Sequence, residues 1–206
     1  MTNTTPLPAP LPDGIHELPA GKLAAVVTYL EMFTRPAPRP APEQPELTLV
    51  RHETPDLDWY RALYRRVGED WLWFSRIYME EAALAAILTH PDVEVYSVRK
   101  GGVDLGILEL DFRDAENTEL AFFGLHESLI GGGTGRWLME QALDKAFAHG
   151  IKRLFVHTCT LDSPQALPFY IRSGFTPYGR AIEVMDDPRV AGALPKSAAP
   201  HIPLIG

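Results

Sequence analysis

A single cysteine, Cys159, stands among 206 residues, which excludes an intrachain disulfide and any metal site built from clustered thiolates. A reducing compartment is the matching expectation. Basic residues are scarce too: 19 Lys and Arg against 27 Asp and Glu leave a formal net charge of -8. That sign repels a phosphate backbone, so nucleic acid is not the expected partner. The opening MTNTTPLPAPLPDG has neither the basic start nor the apolar run of a secretory signal. No later run approaches the ~20 apolar residues of a membrane span. These absences read as a cytoplasmic, soluble chain with no membrane partner.

What is present is the composition of an ordinary globular protein, 46% hydrophobic and 22% charged, enough apolar matter for a packed core. The length suits one domain with an appendage. Prolines mark the appendage. Pro6, Pro8, Pro10 and Pro12 alternate with other residues, and Pro36, Pro38, Pro40, Pro42 and Pro45 do so again, so both stretches are expected to be extended, polyproline-like linkers. Between them KLAAVVTYLEM (22–32) leans towards strand through Val26, Val27, Thr28 and Tyr29, although its length and alanines also permit helix. Leu23, Ala25, Val27 and Tyr29 would form its apolar row. A lone strand needs a partner, either the main sheet or a second copy of the chain, so a homodimer is one expectation.

From Leu47 the pattern turns regular. LTLVRHE reads as a strand; LDWYRALYRRV, with Asp56 as N-cap, and Glu80 to Thr89 read as helices. VEVYSV and VDLGILELDF flank Gly101-Gly102, a hairpin signal, and TELAFFGL follows as a third strand. A long helix over Thr134 to His149 stops at Gly150, and RLFVHTCT forms the next strand. A short helix opened by Asp162-Ser163-Pro164 runs to Gly174, its first turn distorted or delayed by Pro168, before a last strand towards Val184. The stretch from Pro188 onward reads as an irregular tail.

The strongest chemical signal is Gly131-Gly132-Gly133-Thr134-Gly135-Arg136, set between a strand and an amphipathic helix. Four glycines let backbone N–H groups approach a ligand, and a helix N-terminus adds partial positive charge, which together suit a phosphate or pyrophosphate. The run is neither a Walker A loop nor the dinucleotide fingerprint. Downstream lies Ser163-x-x-Ala166-x-x-x-Tyr170-x-x-x-Gly174-Phe175.

With these two clusters the chain resembles the GNAT superfamily of acyl-CoA N-acyltransferases, over roughly Leu47 to Val184. The resemblance implies an α+β fold: a mixed, mostly antiparallel twisted sheet flanked by helices and splayed between the fourth and fifth family strands. It divides the chain into a proline-rich extension (1–46), an acyltransferase domain (47–185) and a tail (186–206). The family pattern Arg/Gln-x-x-Gly-x-Gly/Ala, which wraps the CoA pyrophosphate, falls on Ile130 to Gly135, with Ile130 departing from Arg or Gln. The family's Asn-x-x-Ala begins here with Ser163.

The resemblance implies acetyl-CoA as cosubstrate, without metal. The cofactor-binding residues it implies are Phe123, Leu125, Ile130, Gly131, Gly132, Gly133, Thr134, Gly135, Arg136 and Ser163. It also implies direct transfer to an amine, with Tyr170 protonating the leaving thiolate. The acceptor is a small-molecule amine, a peptide N-terminus or a lysine. The attacking amine must be neutral, and Glu119, Glu109 and His157 are the candidate bases, Glu119 sharing a face with Ala121 and Phe123. Tyr170 can otherwise be an aromatic packing residue, and Cys159 in an apolar strand reads as packing rather than as an acyl carrier. Trp71-Leu72-Trp73-Phe74 would wall the acceptor site or simply pack. Two other classes compete: a catalytically silent acyl-CoA sensor, and a nucleotide-phosphate binder unrelated to CoA.

Overall fold

The computed structural model describes residues 11–206, so the expected linker at Pro6, Pro8 and Pro10 lies outside the described residues. Seven strands form one sheet: β1 (Lys22–Met32), β2 (Leu47–His52), β3 (Val93–Lys100), β4 (Val103–Asp111), β5 (Thr118–Leu125), β6 (Leu154–Cys159) and β7 (Thr176–Asp186). Their spatial order is β2-β3-β4-β5-β6-β1-β7. Every pairing is antiparallel except β5 with β6.

The helices are α1 (Leu57–Gly68), α2 (Ser75–Tyr78), α3 (Glu81–Leu88), α4 (Thr134–Ala148) and α5 (Ala166–Arg172). Asp56 caps α1 by accepting from the Trp59 N–H at 2.8 Å. Pro168 leaves α5 starting at Ala166, later than the Asp162-Ser163-Pro164 signal suggested, because its ring permits only the first turn of a helix.

Alternation along the strands separates two cores. Tyr96, Val98, Leu108 and Leu110 face one side, where α4 buries Leu138, Met139, Ala142, Leu143 and Ala146 against them. Val93, Val95 and Ile107 face the other, under Tyr60, Leu63, Tyr64 and Val67 of α1 and Leu84 and Leu88 of α3. Among the described residues no helix is long and apolar enough to cross a membrane.

β1 is a strand, as its β-branched run suggests, and it lies between β6 and β7 rather than at an edge. Its buried residues are not the continuous row that one covered face predicts. Ala25 and Val27 are buried, then Leu30 and Met32. β1 is covered on both faces: in unbroken register with β6, alternation sets Ala25 and Val27 on one side and Leu30 and Met32 on the other, while the slip against β7 between Tyr29 and Leu30 leaves Tyr178 as the extra residue of β7. Leu30, fully buried, joins the α4-side core.

The tail after β7 folds back. Arg189 pairs with Asp187 at 2.7 Å, both side chains buried, and donates to the carbonyls of Ala198, Ala199 and Ile202. Leu194, Ala198 and Ala199 then pack against Leu72, so the tail buttresses the aromatic loop 71–74.

Candidate active site

β5 and β6 pair at only two positions, Thr118 with Leu154 and Glu119 with Phe155. Past these the strands separate, and a cavity of about 620 Å³ opens between residues 121–125 and 156–159. Parallel strands that diverge leave facing N–H and C=O groups without a ladder partner, a surface ready to pair with an extended, amide-bearing ligand. Trp73 closes the back of the gap. A Cβ on Gly124 would lie 2.9 Å from the Trp73 ring and 2.5 Å from Val67, so only glycine admits this packing.

At the closed end, Glu119 Oε1 sits 3.4 Å from Nδ1 of His157. Hydrogen bonding to Glu119 raises the His157 pKa above its ordinary 6.5 despite partial burial, and Asp162 and Glu183 add to the effect. Asp162 is itself fully engaged: it accepts from the Trp73 indole at 3.2 Å, the Thr158 hydroxyl at 2.7 Å and the Cys159 N–H at 2.9 Å. It ties the aromatic loop to the end of β6. Burial, with Asp162 nearby, pushes the Cys159 thiol up to about 11, so it is protonated and a poor nucleophile near neutral pH.

Tyr170 projects from α5 beside Phe123, ring centroids 6.3 Å apart, and beside Phe169 at 5.7 Å. Burial first, and Asp162 second, drive its phenol pKa well above the ordinary 10. The hydroxyl therefore keeps its proton across the physiological range.

At the open end lies the glycine run. Gly131, Gly132 and Gly133 all have positive φ (96°, 55° and 84°), with Gly133 as N-cap of α4. The N–H groups of Gly131, Gly132, Gly133, Gly135 and Arg136 donate to no backbone acceptor among the described residues. Successive free N–H groups at a helix start form an anion-binding concavity.

Residues 57–175 match the family model described as the acetyltransferase (GNAT) family. The chain belongs to the GNAT acetyltransferase family. Solved structures agree in fold. A conserved protein of unknown function from Staphylococcus epidermidis ATCC 12228 superposes with TM-score 0.54 at 14% identity, over 81% of this chain and 63% of that one. A GCN5-related N-acetyltransferase from Sphaerobacter thermophilus gives 0.54 at 14%, over 79% and 52%. A GNAT family acetyltransferase from Elizabethkingia anophelis, solved with acetyl-CoA bound, gives 0.50 at 18%, over 69% and 99%. The chain thus spans less than two thirds of the first two structures. No curated protein matches the sequence.

Within this GNAT fold, Glu119, Phe123, Leu125, Ile130, Gly131, Gly135, Ser163 and Tyr170 all line the cleft, as do His157 and Cys159. Gly132 and Thr134 line a neighbouring cavity of about 290 Å³, which shares Ile130 and Gly131 with the first. Gly133 and Arg136 line neither: Gly133 lies under Pro42, and Arg136 donates to the Pro40 carbonyl at 2.9 Å. Ser163 accepts from the Gln165 N–H at 3.3 Å.

Glu109, the third candidate base, is absent from the cleft lining. It is fully buried on the α1 side, where it accepts from the Tyr60 hydroxyl at 2.5 Å and pairs with Arg76. A carboxylate so enclosed is a structural ion pair. Arg76 lies in α2, far from Glu109 in sequence, which is why spacing alone left Glu109 in contention. Asp162 and Gln44 were not singled out by sequence reasoning. Asp162 carried a weak signal as the polar residue that opens the α5 segment; Gln44 carried none.

Proposed function

We propose that the protein transfers an acetyl group from acetyl-CoA to an amine by direct attack within a ternary complex in the splayed cleft. One observation carries the reading: a single cleft joins free N–H groups at its mouth, a protonated tyrosine along its wall and a carboxylate-imidazole pair at its closed end. The residues present fit acetyl-CoA. The free N–H groups of Gly131, Gly132, Gly133, Gly135 and Arg136 receive the pyrophosphate, and the unpaired edge at Phe123 and Leu125 receives the pantetheine amides, with the Ser163 hydroxyl alongside. A backbone N–H on that edge faces the thioester oxygen and stabilises the charge growing there as the amine attacks.

His157, oriented by Glu119, takes the proton from the ammonium group so that a neutral amine can attack. Tyr170 donates a hydrogen bond to the departing thiolate, and the second proton that nitrogen sheds as the amide forms replaces the one the phenol passes on, so that free thiol leaves and the phenol ends protonated. A thioester is already activated towards amines, so no metal is required. The aromatic wall at Trp71, Trp73 and Phe74 borders the acceptor, a small amine or the amino group of a peptide.

Thermal denaturation with added ligands tests the assignment. Acetyl-CoA should raise the melting temperature, whereas ATP and NAD should not. A response to ATP or NAD without one to acetyl-CoA would replace this reading with that of a nucleotide-phosphate binder.

A further inference from the structure

Residues 33–46, between β1 and β2, form a strap laid along α4 towards its N-terminus. Arg35 donates to Asp144 and Glu140, both at 2.8 Å. The Arg39 N–H reaches Glu140 at 3.2 Å, and the Pro40 carbonyl accepts from Arg136. The Pro42 ring covers Gly133 so closely that a Cβ there would lie 2.5 Å from it. Finally Gln44 spans the glycine loop: its amide N–H donates to the Gly132 carbonyl at 2.9 Å, and its oxygen accepts from the Thr134 hydroxyl at 3.4 Å. The strap lies outside the matched family residues 57–175.

Charge on the strap is divided. Arg35 is paired with two carboxylates. Arg39 instead donates to the Arg172 carbonyl, while Arg136 bonds the adjoining Pro40. Among the described residues, Arg39, Arg136 and Arg172 form no ion pair. In a chain with net charge -8, guanidinium groups left without carboxylates on the strap at Arg39, on the first turn of α4 at Arg136 and at Arg172, which lines the same cleft as Gly131 and Gly135, point to an external anion. Prolines restrict the strap before any ligand arrives, so ordering costs at binding are small.

We propose that the strap is a wall of the cofactor's phosphate site. Gln44 is a positioning residue that holds Gly132 and Thr134, and Arg39, with Arg136 and Arg172, meets the nucleotide phosphates of CoA. This rests on the acetyl-CoA reading above.

The test is calorimetric titration of the full chain with CoA and with pantetheine, which lacks every nucleotide phosphate. Arg39→Ala and Gln44→Ala should each weaken CoA about tenfold relative to pantetheine, the size expected for one charge-assisted or loop-ordering contact. Arg39→Lys should recover part of the loss, since it restores charge without the planar fork. A variant that binds CoA as the wild type does overturns its half of the proposal. Equal weakening of CoA and pantetheine overturns it as well, leaving the strap a purely structural element. A wild-type chain that binds no CoA overturns the functional reading together with this inference.

Discussion

Glu119 is the last residue of β5 to pair with β6, and its Oε1 lies 3.4 Å from the His157 ring at the point where the two strands part. The closed end of the cleft is thus an acid-base pair in ion-pair contact. Its consequences divide by pH. Because Glu119 raises the folded His157 pKa, the pair's contribution to stability is complete below about pH 6.5, the ordinary value, and is lost as pH climbs through the raised one. With 50% of the His157 side chain exposed, solvent screening keeps that contribution small.

Activity runs the opposite way, since only neutral imidazole accepts a proton. The rate should rise with pH through the raised His157 value. Glu119→Gln removes the largest cause of the shift, so the midpoint of that rise should move to lower pH. A midpoint that stays put in the pH profile of kcat/KM would place the base elsewhere.

Tyr170→Phe keeps the ring that packs on Phe123 and Phe169 and removes the proton. Acetyl-CoA affinity should persist while turnover falls. General acids contribute about 10²–10⁴-fold, and the loss here should sit near the lower end. A phenol whose pKa is raised by burial transfers its proton reluctantly and acts mainly as a hydrogen-bond donor. Unchanged turnover, measured where chemistry limits the rate, would make Tyr170 a packing residue.

Along the glycine run two effects separate by substitution. The Gly133 φ of 84° and the 2.5 Å approach of Pro42 mean that any side chain there strains the loop, at a cost of about 1–3 kcal/mol. Gly133→Ala should lower the melting temperature of the free protein yet leave some response to acetyl-CoA. Gly131→Asp, at a position that lines the cleft and whose Cβ would meet nothing within 4 Å, adds a carboxylate beside the pyrophosphate and should abolish the response, which for wild type at 100 times its dissociation constant is about 2.7 kcal/mol. Equal responses in the two variants would show that the loop does not hold phosphate.

Leu30 is fully buried within β1, and Leu30→Ala should cost about 2–5 kcal/mol by chemical denaturation. Deleting residues 1–45 removes the strand that β6 and β7 share, so the truncated chain should lose its cooperative melt. A wild-type melting temperature after that deletion would make β1 dispensable.

Local chemistry was legible in the sequence. Gly101-Gly102, Asp56 and the β-branched run of residues 26–28 each specify structure within a few positions, and the glycine run marked the positive-φ turn that opens α4. Long-range registration was not. The slip at Tyr29 depends on pairing with β7, some 150 residues downstream. Glu109 looked as available as Glu119 because Arg76, which occupies it, comes from another element. The prolines of the strap declared an extended chain but not its seat on α4, which rests on Arg35 meeting Asp144 and Glu140 across more than a hundred residues.

The proposed activity is acetyl transfer from acetyl-CoA to an amine in the cleft between β5 and β6. Its most direct measurement is the appearance of free CoA thiol when the purified chain meets acetyl-CoA and a panel of amines. Thiol release should depend on an amine, match the acetylated amine one for one, and fall sharply in Tyr170→Phe. Saturable binding of acetyl-CoA with no amine-dependent thiol release would contradict it and leave the protein an acyl-CoA sensor.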